Sequence, residues 1–584
     1  MATTGILRSR RSVAQLHAVA GVEREIRAND NSFARKYVRD FRDAFRSYQR
    51  VLSAEDVHEK IGEAGIALIG DYHALPTSQR YIASLLREPA LHGRPLVLGV
   101  ETIFARDQHI VDEWLRGEID EYELRQRIRF DLDWGYDWAP FFDILLAARE
   151  RGAPIYGLDC MPREDLRKIG ARDRHAADKI AEIRRDHPNA LILVLFGESH
   201  LAPQHLPARI VERFREDAIP VASSQRRVLT VLQNVDALYW RAAGEASDCV
   251  EAVEVNSDVL CVFNATPLEK YENYRLCLDR WGRGDDSGPD LGPTLYNLVG
   301  SLVRFLGINQ YSPHNSTQPK LLVDLMPEVY SRRSDALLRR LLSRKEFTAA
   351  DKRYLVHRVR ERGSIYLPRL NVVYVREFRM TSAAEDATRF LHQACRGLPY
   401  RSLSNGSGTN GVGRKRNGQA REDAFYAAVF EHALAFFGSR VLHPARAAFR
   451  ETDLEELFEL THEDLEQQTG LPFGDALEVL DVLGRLREFD RRERNRRCNG
   501  NSKQAKKRSS NADCLSDALA FEGRKHEYLA ELMGYLAGNH LYDAYVQGRL
   551  TPAALRKLFL AHIDEPDVAR SEYQLLIGSL TASR

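Results

Sequence analysis

The chain has 584 residues, 44% of them hydrophobic and 29% charged, and its formal net charge is +1. This length exceeds one ordinary domain and suggests roughly three or four, with enough apolar material for buried cores. The near-neutral balance excludes whole-chain attraction to nucleic acid or anionic membrane, so any such contact must come from a local patch.

The first residues, Met1–Arg11, are basic but lack an apolar stretch of signal-peptide length behind them. No early Cys offers a lipid anchor, and no segment approaches the ~20 apolar residues of a membrane helix. The seven cysteines (Cys160, Cys249, Cys261, Cys277, Cys395, Cys498 and Cys514) are scattered without a Cys-x-x-Cys pair. Reduced thiols and a cytoplasmic location are therefore expected.

Residues 1–55 read as a charged, helical N-terminal arm. From 56 to 300, short apolar runs alternate with amphipathic stretches. The expected strands are Ile66–Gly70, Pro95–Val100, Pro154–Leu158, Leu191–Phe196, Val228–Leu232 and Val259–Phe263. Between them lie helical patterns at Ser78–Arg87, Gln108–Leu115, Phe141–Arg151 and Arg172–Arg185. This alternation predicts an α/β domain with a mainly parallel sheet and flanking helices.

Beyond about residue 310 the pattern becomes α-helical, over 310–400, 423–490 and 517–584. Leu321–Leu342, Ala349–Arg362, Ala384–Ala394, Asp423–Phe437, Leu454–Leu460 and Tyr528–Tyr545 carry helical periodicity. Leu370–Val375 reads either as a strand or as a buried helix turn. A flexible linker is expected at 401–422, where Ser402–Gly418 is rich in Gly, Ser and Asn. A basic disordered loop is expected at 491–516, because Arg491–Ser509 holds nine Lys or Arg against one Glu. That run reads as a solvated linker, with contact to nucleic acid or an acidic partner as its alternative.

Two motifs carry the chemistry. Gly70-Asp71-Tyr72-His73 follows the first strand and Gly197-Glu198-Ser199-His200 follows the fourth. The carboxyl ends of parallel strands form the ligand crevice of an open α/β sheet, so both Gly-x-x-His motifs fall on the chemical edge. Imidazole binds metals and titrates near neutrality, which suits either a metal site or proton transfer. Glu101 ends the second strand and Asp159 the third, adding carboxylates at the same edge. His73, His200 and Glu101 thus form a candidate ligand set for zinc, manganese or iron. Arg172 opens a helix and is a candidate for holding an oxyanion or carboxylate. Trp134, Tyr136 and Trp138 form a cluster that either walls a pocket or packs in the core.

These residues, with the Gln108 stretch, Trp134–Pro140 and Arg172-Asp173, occur in an order that resembles ChaN-like proteins of the haem-binding uptake/Tiki superfamily, with its TraB-like and erythromycin-esterase-like relatives. The resemblance spans roughly residues 56–270 and implies an α/β sheet with both Gly-x-x-His motifs facing one cleft. By matching position it implies metal or catalytic roles for His73, His200 and Glu101, and a helix-start arginine role for Arg172. The Tiki branch implies metal-dependent proteolysis and the ChaN branch haem binding. Two features depart from the ChaN branch: Ser78-Gln79 stand where it has a His pair, and no lipid anchor is seen.

The leading expectation is a metal-dependent hydrolase acting on an acyl or peptide substrate. His73 and His200 would be ligands, Glu101 a third ligand or base, and Arg172 an oxyanion holder. In a metal-free variant a His is the general base. An alternative is a non-covalent haem or iron binder, with Tyr72, His73 or His200 as axial ligands and Trp134 and Trp138 packed on the porphyrin. A third is a non-catalytic scaffold in which the helical half works within a bacterial assembly. The expected partner is a small-molecule or peptide ligand; the oligomeric state is not legible.

Overall fold

The computed structural model describes residues 10–30, 35–160, 169–216, 227–245, 250–283, 289–309, 322–332, 334–343, 347–396, 414–498 and 509–579. The chain divides into two compact units. One is built from residues 19–285 and the other from residues 10–18 with 286–584.

The first unit is an α/β layer structure around an eight-stranded sheet. Its strands are β1 (Arg50–Leu52), β2 (Ile66–Asp71), β3 (Leu96–Phe104), β4 (Ile155–Asp159), β5 (Leu191–Gly197), β6 (Val228–Gln233), β7 (Ala252–Asn256) and β8 (Val259–Val262). Their order is β1-β7-β8-β6-β2-β5-β3-β4. From β8 to β4 every neighbouring pair is parallel, while β7 and β1 close one edge antiparallel.

The apolar runs explain the centre of this sheet. Every residue of β2 and β5 is buried, as a parallel sheet covered on both faces requires. Side chains alternate between two cores. Ala67, Ile69, Leu193, Leu195, Leu98 and Val100 join one, while Ile66, Leu68, Ile192, Val194, Phe196 and Val97 join the other. Such alternation fixes register, because a slip of one residue exchanges the faces. Asp71 consequently stands opposite Gly197.

Strand β3 runs further than its apolar pattern predicts. Its regular pairing with β4 breaks after Val100, and Phe104 pairs with Asp159. A bulge of this kind re-aims side chains beside a site, and here Glu101 is the first residue of the irregular stretch. The detour brings β3 close over Gly157, where an added Cβ would lie 2.8 Å from the Phe104 carbonyl oxygen. At the β4 edge, Gln108 donates to the Ile155 carbonyl at 2.7 Å and accepts from the Gly157 N–H at 2.9 Å. That amide occupies backbone groups an edge strand would otherwise expose.

The second unit is mostly helical, with long helices Arg414–Leu442 and Gly523–Val546. It also holds a three-stranded sheet of β9 (Glu328–Ser331), β10 (Ser364–Leu367) and β11 (Val372–Val375), ordered β10-β11-β9. The ambiguous run at Leu370–Val375 is therefore a strand. The helix expected over Leu321–Leu342 gives way to a 3-10 turn (Leu322–Leu325), β9 and a short helix (Asp335–Leu341). A buried ion network ties helices together: Arg358 and Arg362 donate to Glu531 at 2.6 and 2.9 Å, and Arg362 and Arg446 meet Glu385 at 2.8 and 2.5 Å.

Of the expected linker, residues 401–413 lie outside the described residues, and the helix Arg414–Leu442 begins within the remainder. Of the basic run, residues 499–508 lie outside the described residues; helices Phe473–Cys498 and Ser509–Ala520 flank them. Cys249 also lies outside. Among the described residues no helix is long and apolar enough to cross a membrane.

Candidate functional site

The carboxyl ends of β2, β5, β3 and β4 are adjacent, and each delivers polar side chains to one place. Glu101, at the end of the regular part of β3, is the hub. One carboxylate oxygen accepts from the Arg172 guanidinium at 2.5 Å, and the other accepts from the Gly197 backbone N–H at 2.5 Å. Arg172, on the helix Ile169–Asp186, also forks onto both oxygens of Asp159 at 2.8 and 3.0 Å. Glu101, Asp159 and Arg172 are all buried.

The two imidazoles flank this hub in matching fashion. His73 places Nδ1 2.7 Å from Asp71, and its Nε2 stands 3.8 Å from one oxygen of Glu101. His200 places Nδ1 2.5 Å from Asp173, and its Nε2 stands 3.8 Å from the other oxygen. Carboxylates only accept, so both Nδ1 atoms carry protons and both Nε2 atoms face the same carboxylate. The Asp partners are held in turn: Gln79 donates to Asp71, and Tyr37 donates to Asp173.

Charge follows from this geometry. Burial opposes ionisation of Glu101, yet Arg172, His200, His73 and the Gly197 N–H together hold its pKa down to about 2. Burial likewise opposes the charge on Arg172, and Glu101 and Asp159 outweigh it, keeping the guanidinium charged. For His73, burial favours the neutral ring, but Asp71 and then Glu101 raise its pKa above the ordinary 6.5.

His73 also lines a cleft of ≈ 1080 Å³, together with Tyr72, Tyr136, Glu198, Lys270 and Tyr274. Its volume lies at the upper end for small-molecule sites. The Lys270 ammonium bonds both oxygens of Glu198 at 3.0 Å and sits 4.5 Å over the Tyr72 ring. Burial raises the Tyr72 pKa well above 10, with Glu198 adding to it, so the phenol stays protonated.

The sequence-derived residues therefore separate into groups. His73, Glu101, Arg172 and His200 share one network, and Tyr72 joins His73 in the cleft. Arg172 is committed to two carboxylates, and neither it nor Glu101 nor His200 is among the residues lining the cleft. Trp134 packs against His73 with ring centroids 4.4 Å apart. Trp138 is instead a core residue between Phe130 and Phe142, its indole N–H on Glu121 at 2.8 Å, so it does not wall the cleft. Four partners carried too weak a sequence signal to be assigned a role. Asp173 and Gln79 fall within quoted segments but were given no role, whereas Tyr37 and Lys270 lie far from any motif.

The expectation of a divalent metal is not supported by the arrangement of these side chains. Among the described residues, no group of three or more His, Cys, Asp or Glu side chains could hold a metal ion as placed. Glu101 is engaged by a guanidinium and an amide, and each imidazole Nε2 stands 3.8 Å from it. Gly197 adds a steric constraint: a Cβ there would lie 3.1 Å from Glu101 Oε2 and 3.1 Å from His73 Nε2. Gly197→Ala is expected to fold but to push His73 from Glu101. The check is the His73 imidazole NMR titration, whose midpoint should fall toward 6.5 as the Glu101 contact weakens; an unmoved midpoint would show that the contact does not set it.

No curated protein matches the chain. The solved structure "Cofacial heme binding to ChaN of Campylobacter jejuni" is similar at 15% identity, over 36% of this chain and 92% of that one. Its TM-score of 0.25 is too slight a likeness to carry an argument. The sequence itself is more telling: residues 57–192, which supply His73, Glu101, Asp159 and Arg172, match the family described as "Haem-binding uptake, Tiki superfamily, ChaN".

Proposed function

We propose that the α/β unit is a hydrolase acting on an acyl or peptide-like substrate by acid–base chemistry centred on His73. The observation carrying this reading is the Asp71–His73 dyad, 2.7 Å apart, at the wall of a cleft large enough for substrate. Asp71 fixes the tautomer, leaving Nε2 to take a proton when the ring is neutral. In the proposed step His73 Nε2 removes a proton from water as its oxygen adds to the carbonyl carbon. The same proton then passes to the leaving group as the acyl bond breaks. Glu101, fixed by Arg172 and Gly197, is a positioning residue for both imidazoles, and a metal is not part of the step.

The test is a panel of p-nitrophenyl esters and peptide amides with wild type, His73→Ala and Asp71→Asn. His73→Ala should lose about 10²–10⁴-fold in kcat. The wild-type rate should rise with pH through a midpoint above 6.5, because base catalysis needs the neutral ring, and Asp71→Asn should move that midpoint down. Full activity in His73→Ala would sink the reading.

A second reading is favoured by the family description over residues 57–192 and by the cleft's size and aromatic wall. In it the cleft holds non-covalent haem, with Tyr72 or His73 as iron ligand. The walls suit a flat apolar ring, but the donors suit it less well. Tyr72 is held as a neutral phenol rather than the phenolate that ligates iron well. A Soret band on adding haemin, lost in both Tyr72→Phe and His73→Ala, would favour this reading over hydrolysis.

A further inference from the structure

A second pocket, of ≈ 520 Å³, lies at the opposite end of the strands, where β3 and β4 begin. Its walls include His92, Arg94, Arg151 and His187. Both arginines are anchored through backbone carbonyls. Arg94 donates to Gly62 and Ala64 at 2.9 and 2.8 Å, and Arg151 donates to Leu86 at 2.9 Å and to Leu91. Behind them Arg184, with no exposed surface, likewise donates to carbonyls, those of Pro188 and Ala190 at 3.0 and 2.8 Å.

Among the described residues none of these three guanidiniums meets a carboxylate. Elsewhere in this unit the buried Arg172 and Lys270 each sit on acids. Burial lowers the pKa of all three, that of Arg184 to about 10 with Arg94 adding repulsion, and no acid offsets it. Carbonyl dipoles satisfy some N–H groups but leave the net charge unbalanced, which is costly for the fully buried Arg184, while the half-buried Arg94 and Arg151 face the pocket. The carbonyl bonds also hold the guanidiniums in place before any ligand arrives, so little ordering cost remains on binding.

We propose that this pocket binds a small dianionic oxyanion, a phosphate or the phosphate of a monoester, on Arg94 and Arg151, with His92 and His187 beside it. Planar guanidiniums match phosphate oxygens in pairs, and two cations without acids match two negative charges. The inference is independent of the hydrolase reading, since the His73 dyad lies at the other end of the strands.

The test is calorimetric titration of the full chain with inorganic phosphate at constant ionic strength, with acetate and adenosine monophosphate in parallel. Saturable phosphate binding on the order of 1 mM or tighter is expected, with acetate weaker. Arg94→Gln and Arg151→Gln should each weaken it by about tenfold or more, with unchanged circular dichroism. Tighter binding of the monophosphate would assign the ester rather than the free ion. Should either variant fail to fold, the wild type still decides, through phosphate-dependent shifts of the His92 and His187 ring protons. Absence of saturable binding in the wild type, unmoved ring protons, or undiminished binding in folded variants would overturn the proposal.

Discussion

Arg172→Ala is expected to destabilise the α/β unit by about 3–5 kcal/mol, the cost of leaving buried charges without their partner. The side chain is the cation shared by Glu101 and Asp159, which are 3% and 1% exposed. Its removal leaves two carboxylates facing each other out of water. Arg172→Lys should recover only part of the loss, because an ammonium cannot fork onto Asp159 while reaching Glu101. Removing the charges together, as Arg172→Met with Glu101→Gln and Asp159→Asn, should be far less damaging than the single change. Denaturant midpoints followed by tryptophan fluorescence provide the check. All five tryptophans (Trp114, Trp134, Trp138, Trp240 and Trp281) lie in this unit, so the signal reports it alone. A single variant as stable as wild type would refute the network's role.

The second large effect is on acid stability. The Glu101 pKa falls from an ordinary 4.5 to about 2 in the folded unit, burial resisting and the surrounding cations prevailing. A depressed carboxylate stabilises the fold above its unfolded pKa and loses that contribution as pH falls through the folded one. The drop is worth about 3 kcal/mol at neutral pH, lost progressively between about pH 4.5 and pH 2. Glu101→Gln should therefore be less stable at pH 7 and show a flatter dependence across that window. In the helical unit Glu385 is also held at about 2, burial being overcome by Arg362, Arg446 and Arg389, so both units should weaken over the same interval. Fluorescence for the first unit and circular dichroism for the whole chain would separate them. Parallel acid profiles of Glu101→Gln and wild type would contradict the assignment.

The strands were legible wherever burial on both faces wrote an uninterrupted apolar run, as in β2 and β5. β1 and β7 were not, because short antiparallel strands are specified by their neighbours rather than by their own composition. The continuation of β3 through Phe104 depends on a bulge, which leaves no periodic trace. Glu101, His73 and His200 could be placed together because each comes within four residues of the end of an apolar run. Their Nδ1 partners illustrate the limit. Asp71 lies two residues from His73, but Asp173 reaches His200 across a helix, and Tyr37 reaches Asp173 from the N-terminal region. Trp138 misled because an aromatic near a motif looks the same in sequence whether it faces a cleft or the core.

The bond between strand order and site has a kinetic consequence. β5 lies between β2 and β3, so both earlier strands wait for residues 191–197, and Glu101 cannot meet Gly197 before that segment pairs. Such distant pairing carries a large loop-closure cost and slows folding relative to local helices. The hub around Glu101 thus forms only through long-range pairing. Until β5 is made, the apolar edges of β2 and β3 that it will cover lack their partner and are open to mispairing during synthesis.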